Sequence, residues 1–145
     1  MKLIAYILIL LSYGCDMSDI FEQEDSLPYE YAIAEGWLNF SVEDYTSAED
    51  FFLTSLAMDP EYVPSYTQSY IGLGWCKLYH ANTLFGNGYN TDRYNLRLES
   101  LDNFNLAYEE LQENLDVDDI HQAILFAGLS YSNSVLMLHE NFSNS

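Results

Sequence analysis

Basic side chains are the scarcest feature of this 145-residue sequence, which has four Lys and Arg against 23 Asp and Glu and a formal net charge of −19. Proteins that bind DNA or RNA need clustered Lys and Arg to neutralise phosphates. Electrostatic docking to an anionic membrane surface needs the same side chains. The composition therefore argues against a nucleic-acid partner and against attachment to a membrane by charge.

Cysteine is also rare, with two residues in the chain. Two cysteines are too few for a disulfide-dense scaffold. Hydrophobic residues make up 49% of the sequence and aromatic residues 16%. The chain can therefore bury a core, which a disordered acidic tail cannot. Its length is that of one domain.

The N-terminus has the pattern of a secretory signal peptide. Lys2 precedes the apolar run Leu3–Leu11, which is too short to cross a bilayer because a spanning helix needs about 20 apolar residues. The segment that follows, Ser12-Tyr13-Gly14-Cys15, resembles the lipobox of bacterial lipoproteins. In that family the cysteine thiol receives a diacylglyceryl group and becomes the first residue of the mature protein. The resemblance implies a signal peptide at 1–14 and lipidation of Cys15. The alternatives are an ordinary signal peptide with an incidental cysteine and a buried N-terminal helix.

Residues 15–27 are predicted to form an acidic tether. Asp and Glu are frequent in this segment and Lys and Arg are missing from it. Like charges repel one another and keep such a chain extended. The segment would join the lipid anchor to the folded domain.

Two internal copies of a Gly-Trp pair, Gly36-Trp37 and Gly74-Trp75, lie 38 residues apart. A weaker third copy contains Gly128. Each copy lies in an apolar pattern with helical spacing. A glycine inside a helix costs about 1 kcal/mol relative to alanine. Its recurrence therefore indicates places where two helices approach closely.

Small and aromatic residues follow both glycines in a regular order. The first copy has Gly36, Tyr45, Ala48, Phe52 and Pro60, and the second has Gly74, Ser100, Phe104 and Ala107. These spacings resemble the tetratricopeptide repeat (TPR). The resemblance implies an all-α fold of antiparallel helix pairs that form a short right-handed solenoid of about two and a half repeats. The packing residues would be Gly36, Ala48, Phe52, Gly74, Phe104, Ala107 and Gly128.

The resemblance also sets the predicted repeat boundaries. The first repeat covers 28–60 and the second covers 61–117, with an insertion near 81–94. The first helix of an incomplete third repeat covers 118–145. Periodicity predicts helices at about 29–41, 43–57, 64–82, 92–114 and 118–139, with no strand. Ser41 is the expected N-cap of the second helix.

The fifth predicted helix is apolar nearly all round, which a solvated terminal cap should not be. It is either a terminal cap or part of a longer array. The apolar pattern favours a longer array, or a partner that covers this helix.

Catalytic and metal-binding patterns are missing from the sequence. The three histidines, His80, His121 and His139, are scattered, and no serine has a nucleophile-elbow context. No Cys and His spacing matches a metal site. We therefore expect no enzyme activity and no cofactor or metal.

Trp37 and Trp75 are the candidate binding residues, with Phe40 and Tyr79 one turn further on. In TPR arrays the first helix of each pair lines the concave face that binds ligands, and the position after the glycine projects toward it. The resemblance thus implies an aromatic groove for an extended peptide or an amphipathic helix. The alternative is that both indoles pack between helices as core.

These features predict a non-catalytic protein-interaction scaffold, a TPR lipoprotein held in the bacterial cell envelope by its lipid anchor, in the outer membrane. Its partner would be another envelope protein. The alternative is a helical lipoprotein that captures nutrients or glycans for an outer-membrane transporter, as the longer helical substrate-binding lipoproteins do. Such proteins stack sugars on aromatic rings.

Replacing Cys15 by serine should move the protein from the membrane fraction to the soluble fraction and abolish metabolic labelling with a fatty acid. Cys76→Ser is the matched control and should keep the label, because Cys76 does not follow an apolar signal sequence. Wild-type protein without a lipid by intact mass would contradict the anchor.

Overall fold

The computed structural model describes residues 29–58, 65–113 and 119–143, and these residues form helices and their connections with no strand. The five α-helices are α1 (Tyr29–Ser41), α2 (Tyr45–Leu56), α3 (Thr67–Thr83), α4 (Asn90–Glu113) and α5 (Asp119–Ser143), with a 3-10 turn at Asn87–Tyr89 before α4. The all-α prediction is therefore confirmed. The signal peptide, Cys15, the acidic tether and Pro60 lie outside the described residues.

The helices form two layers. Each helix packs against the next one along the chain, and the odd-numbered helices also contact one another, α1 with α3 and α3 with α5. Helices α1 and α2 are joined by the short segment 42–44 and pack along each other, so they run antiparallel. Within the described ranges, no helix is both long enough and apolar enough to span a membrane.

Helices α3 and α4 cover much of the segment 81–94, where an insertion is expected. Only residues 84–89 connect α3 to α4. Helix α3 has 17 residues and α4 has 24, against 13 for α1 and 12 for α2. The connection contains Gly86 with φ +90°, a left-handed conformation that favours glycine because other residues have a Cβ that clashes there.

The N-cap of α2 is Asp44 and not Ser41. A carboxylate oxygen of Asp44 accepts the backbone N–H of Ser47 at 3.1 Å, and the other accepts the Ser47 hydroxyl at 2.8 Å. These bonds lower the pKa of the Asp44 carboxyl. Ser41 ends α1, where its hydroxyl donates to the Leu38 carbonyl at 2.7 Å. Glu43 takes a left-handed φ of 66° that turns the chain between the two helices, so the cap moves beyond this turn.

The Phe52 ring of α2 is held between two glycines of the odd-numbered layer. A Cβ added to Gly36 of α1 would lie 2.6 Å from the Cε1 atom of Phe52, and one added to Gly72 of α3 would lie 2.4 Å from Cζ of the same ring. Real Cβ atoms do not approach other atoms so closely. Both neighbouring helices can therefore contact Phe52 only because they carry glycine at these positions.

The Phe104 ring of α4 repeats this arrangement. A Cβ added to Gly74 of α3 would lie 2.7 Å from its Cε1 atom, and one added to Gly128 of α5 would lie 2.4 Å from its Cζ atom. Gly128 thus meets the phenylalanine of the preceding helix, as Gly72 does, whereas Gly36 meets that of the following helix. In the structure Gly128 therefore corresponds to Gly72, which lies two residues before the Gly74 of the second copy.

The residues expected to pack the repeats are buried: Gly36, Ala48, Phe52, Gly74, Phe104, Ala107 and Gly128. Buried hydroxyls pair between adjacent helices. Ser55 donates to Ser69 at 2.7 Å, and the hydroxyls of Ser100 and Ser132 lie 3.1 Å apart. Each pair satisfies polar atoms that would be costly to bury alone.

Lys77 of α3 joins the even-numbered helices across the acidic surface. Its ammonium lies 2.5 Å from a Glu49 oxygen on α2 and 3.1 Å from a Glu99 oxygen on α4. Burial lowers the pKa of Lys77, but its bonds to Glu49 and Glu99 outweigh this, so its pKa lies above the ordinary value. One cation thus offsets repulsion between two acidic helices.

Helix α5 has apolar side chains on two sides. Leu125, Ser132 and Leu136 are buried toward the other helices. Four large side chains of the same helix, Phe126, Tyr131, Met137 and Leu138, are exposed, and the Phe126 ring contacts Tyr108 of α4.

Replacing Gly36 by leucine should lower the free energy of unfolding, because the new side chain would overpack the Phe52 ring at a cost of about 1–3 kcal/mol or more. This loss exceeds the gain of at most about 1 kcal/mol from removing a helical glycine. Denaturant unfolding followed by circular dichroism measures the change. Gly88→Leu is the matched control and should stay within about 0.5 kcal/mol of wild type, since no atom lies within 4 Å of a Cβ built there. A more stable Gly36→Leu protein would contradict the packing described.

Candidate functional site

A groove of about 440 Å³ opens on the layer of odd-numbered helices. Its lining residues come from three helices: Trp37 and Phe40 from α1, Trp75 and Tyr79 from α3, and His121 and Ile124 from α5. The structure thus brings the four candidate binding residues to one cavity. Pockets for small ligands or side chains have volumes of about 300–1,000 Å³.

Each indole rests on one of the buried phenylalanine rings. Trp37 meets Phe52 edge to face with ring centroids 5.2 Å apart, and Trp75 meets Phe104 in the same way at 5.5 Å. Both indoles are half-buried, and both line the groove. They therefore contact the core on one side and line the groove on the other.

Phe40 stands nearly perpendicular to two other groove rings. Its centroid lies 5.6 Å from Trp37 with planes at 80°, and 5.3 Å from Tyr79 with planes at 82°. Tyr79 also contacts Trp75 at 6.0 Å. The aromatic side chains thus form adjoining walls set at steep angles, in contrast to a flat stacked platform.

Tyr45 of α2 extends the aromatic cluster toward an acidic loop. Its ring lies 5.4 Å from Phe40 and 5.7 Å from Tyr79. Burial raises the pKa of Tyr45, and the charge of Glu43 raises it further. A carboxylate of the α1–α2 connection therefore acts on the edge of the cluster.

His121 and Ile124 were not among the candidate groove residues. They lie three residues apart at the start of α5, so they share one side of that helix. This spacing is visible in the sequence, but only the packing of α5 against α3 shows that this side faces the groove.

Reactive groups are few in the described part of the chain. Its residues include no cluster of three or more His, Cys, Asp or Glu that could hold a metal. Burial raises the pKa of the Cys76 thiol to about 12, which keeps it protonated and unreactive. The Trp75 indole nitrogen has no acceptor among the described residues. The groove therefore offers ring surfaces and few polar groups.

No protein-family model matches the chain, and comparison with curated proteins and with solved structures gives no match.

Proposed function

We propose that the protein is a non-catalytic interaction scaffold of TPR type, whose aromatic groove binds an extended peptide or an amphipathic helix of a protein partner. The observation that carries this proposal is the groove itself, to which α1, α3 and α5 each contribute two residues. A continuous binding surface built from alternate helices is typical of helical repeat proteins.

Repeated packing supports the TPR interpretation. Phe52 and Phe104 occupy the same place in successive helix pairs, each held between two glycine-bearing helices. The indole that follows Gly36 and the one that follows Gly74 rest on these rings in the same edge-to-face geometry. The two helix pairs are thus built alike, as the units of a solenoid are.

The lipobox resemblance supports a place in the bacterial cell envelope, with Cys15 as the lipid anchor in the outer membrane. The acidic segment 15–27 would hold the domain away from the membrane surface, since its like charges keep it extended. The partner would be another envelope protein.

The second candidate function is capture of a glycan or other nutrient for a transporter. It is favoured by Trp37 and Trp75, because sugars stack on indoles, and by a groove volume in the range of small-ligand pockets. A sugar also needs several hydrogen-bonding groups for its hydroxyls. The lining offers few, since four of its six residues are Trp, Phe or Ile, so the protein partner is the better fit.

Tyr79→Ala should abolish capture of the partner from envelope extract, because Tyr79 lines the groove while 41% of its surface is exposed. Tyr89→Ala is the matched control: Tyr89 is similarly exposed at 48% and lies outside the groove. Affinity capture with quantitative mass spectrometry compares wild type with both variants, and a glycan array is probed in parallel.

The proposal requires proteins that wild type and Tyr89→Ala retain and that Tyr79→Ala loses. Proteins captured equally by all three forms do not use the groove, and that result would contradict the proposal. Glycan binding lost in Tyr79→Ala alone would establish the second candidate instead.

A further inference from the structure

The groove has no cationic lysine or arginine among its lining residues. The three basic side chains of the described ranges lie elsewhere. Lys77 is bound to Glu49 and Glu99, Arg93 donates to the Leu84 carbonyl at 2.9 Å, and Arg97 lies on α4, which contributes nothing to the lining. A positive charge that enters the groove therefore meets no lysine or arginine side chain on its walls.

The protein that carries the groove is strongly negative. The chain has a net charge of −19, and the Glu43 carboxylate acts on Tyr45 at the edge of the aromatic cluster. The field of a strongly charged protein raises the local concentration of ions of the opposite sign, here cations. An anionic segment would be repelled from the same place.

The walls have the chemistry that attracts a cation out of water. Trp, Tyr and Phe rings carry negative charge on their faces, and Trp is the strongest of the three. The two indoles, Phe40 and Tyr79 adjoin with ring planes at 49–82° to one another, so the open groove presents several ring surfaces and not a single flat wall.

We propose that the occupant of the groove is a basic segment of the protein partner, and that one of its arginine or lysine side chains is seated among the rings of Trp37, Phe40, Trp75 and Tyr79. The inference rests on the proposed function and adds the chemistry of the bound segment. The negative charge of the protein attracts the basic segment, and apolar residues beside the cation contact Ile124.

Tryptophan fluorescence gives a direct test, because both tryptophans of the chain line the groove. The probe is a tryptophan-free pentapeptide with a central arginine flanked by leucines. Its control is the same peptide with citrulline, which has nearly the same shape and no charge. Titrations at physiological ionic strength screen general attraction to the acidic surface. The arginine peptide should bind about tenfold more tightly than the citrulline peptide.

Three variants locate the binding. Tyr79→Leu keeps an apolar wall but removes a ring, and should weaken binding of the arginine peptide about fivefold or more, whereas Tyr89→Leu should leave it unchanged. Glu109→Gln, at an exposed acid outside the groove, should leave the affinity unchanged at this ionic strength. Circular dichroism confirms that each variant is folded.

Equal affinity for the arginine and citrulline peptides would overturn the inference, as would the absence of a fluorescence change with either. Arginine binding that survives in Tyr79→Leu would place the cation elsewhere on the acidic surface and would also overturn it. None of these three results affects the capture experiment, in which a partner is lost in Tyr79→Ala. Failure of the cation inference is therefore distinguishable from failure of the proposed function.

Discussion

The close contact between a phenylalanine ring and two glycine-bearing helices sets the spacing of the whole described structure. At Phe52 and at Phe104 the flanking helices come so near that even one methyl group would collide with the ring. Because protein interiors are packed to near crystal density, these two contacts set the distances between neighbouring odd-numbered helices. The groove is a consequence, since its two indoles rest on the same two rings.

The negative charge of the chain opposes this close packing of helices. A net charge of −19 repels the helices from one another, and the described helices carry few cations to offset it. Lys77 is placed where one ammonium serves two helices, through Glu49 and Glu99. The same negative charge favours positively charged partners. The feature that opposes compactness is thus also the one that selects the occupant we propose for the groove.

Much of the architecture could be predicted from local patterns. Helix existence follows from apolar periodicity, and the positions of Phe52 and Phe104 relative to Gly36 and Gly74 are readable as a repeat. Four groove residues follow from the same register. The phenylalanine and glycine positions depend on contacts within a helix pair, for which sequence spacing is a good guide, whereas the groove residues follow from the repetition of the Gly-Trp pair in the first helix of each pair.

The remaining features depend on contacts between pairs or on backbone geometry. Gly72 was missed because its partner Phe52 belongs to the preceding pair, and a comparison centred on Gly74 does not reveal it. His121 reaches the groove through the docking of α5. The N-cap of α2 is Asp44 because the chain makes a left-handed turn at Glu43. The sequence does not reveal this turn, and Ser41 has the side chain of an N-cap residue, so it was predicted instead.

A double-mutant cycle between Gly72 and Phe52 tests the central claim most directly. Gly72→Ala alone should destabilise the protein, because the new Cβ would lie 2.4–2.5 Å from three atoms of the Phe52 ring. In a Phe52→Leu background the smaller side chain leaves room for that methyl group. The account predicts that Gly72→Ala is then neutral or stabilising, with a coupling free energy of at least about 1 kcal/mol. Additive effects of the two substitutions would show that this ring does not set the helix spacing, and would contradict the account.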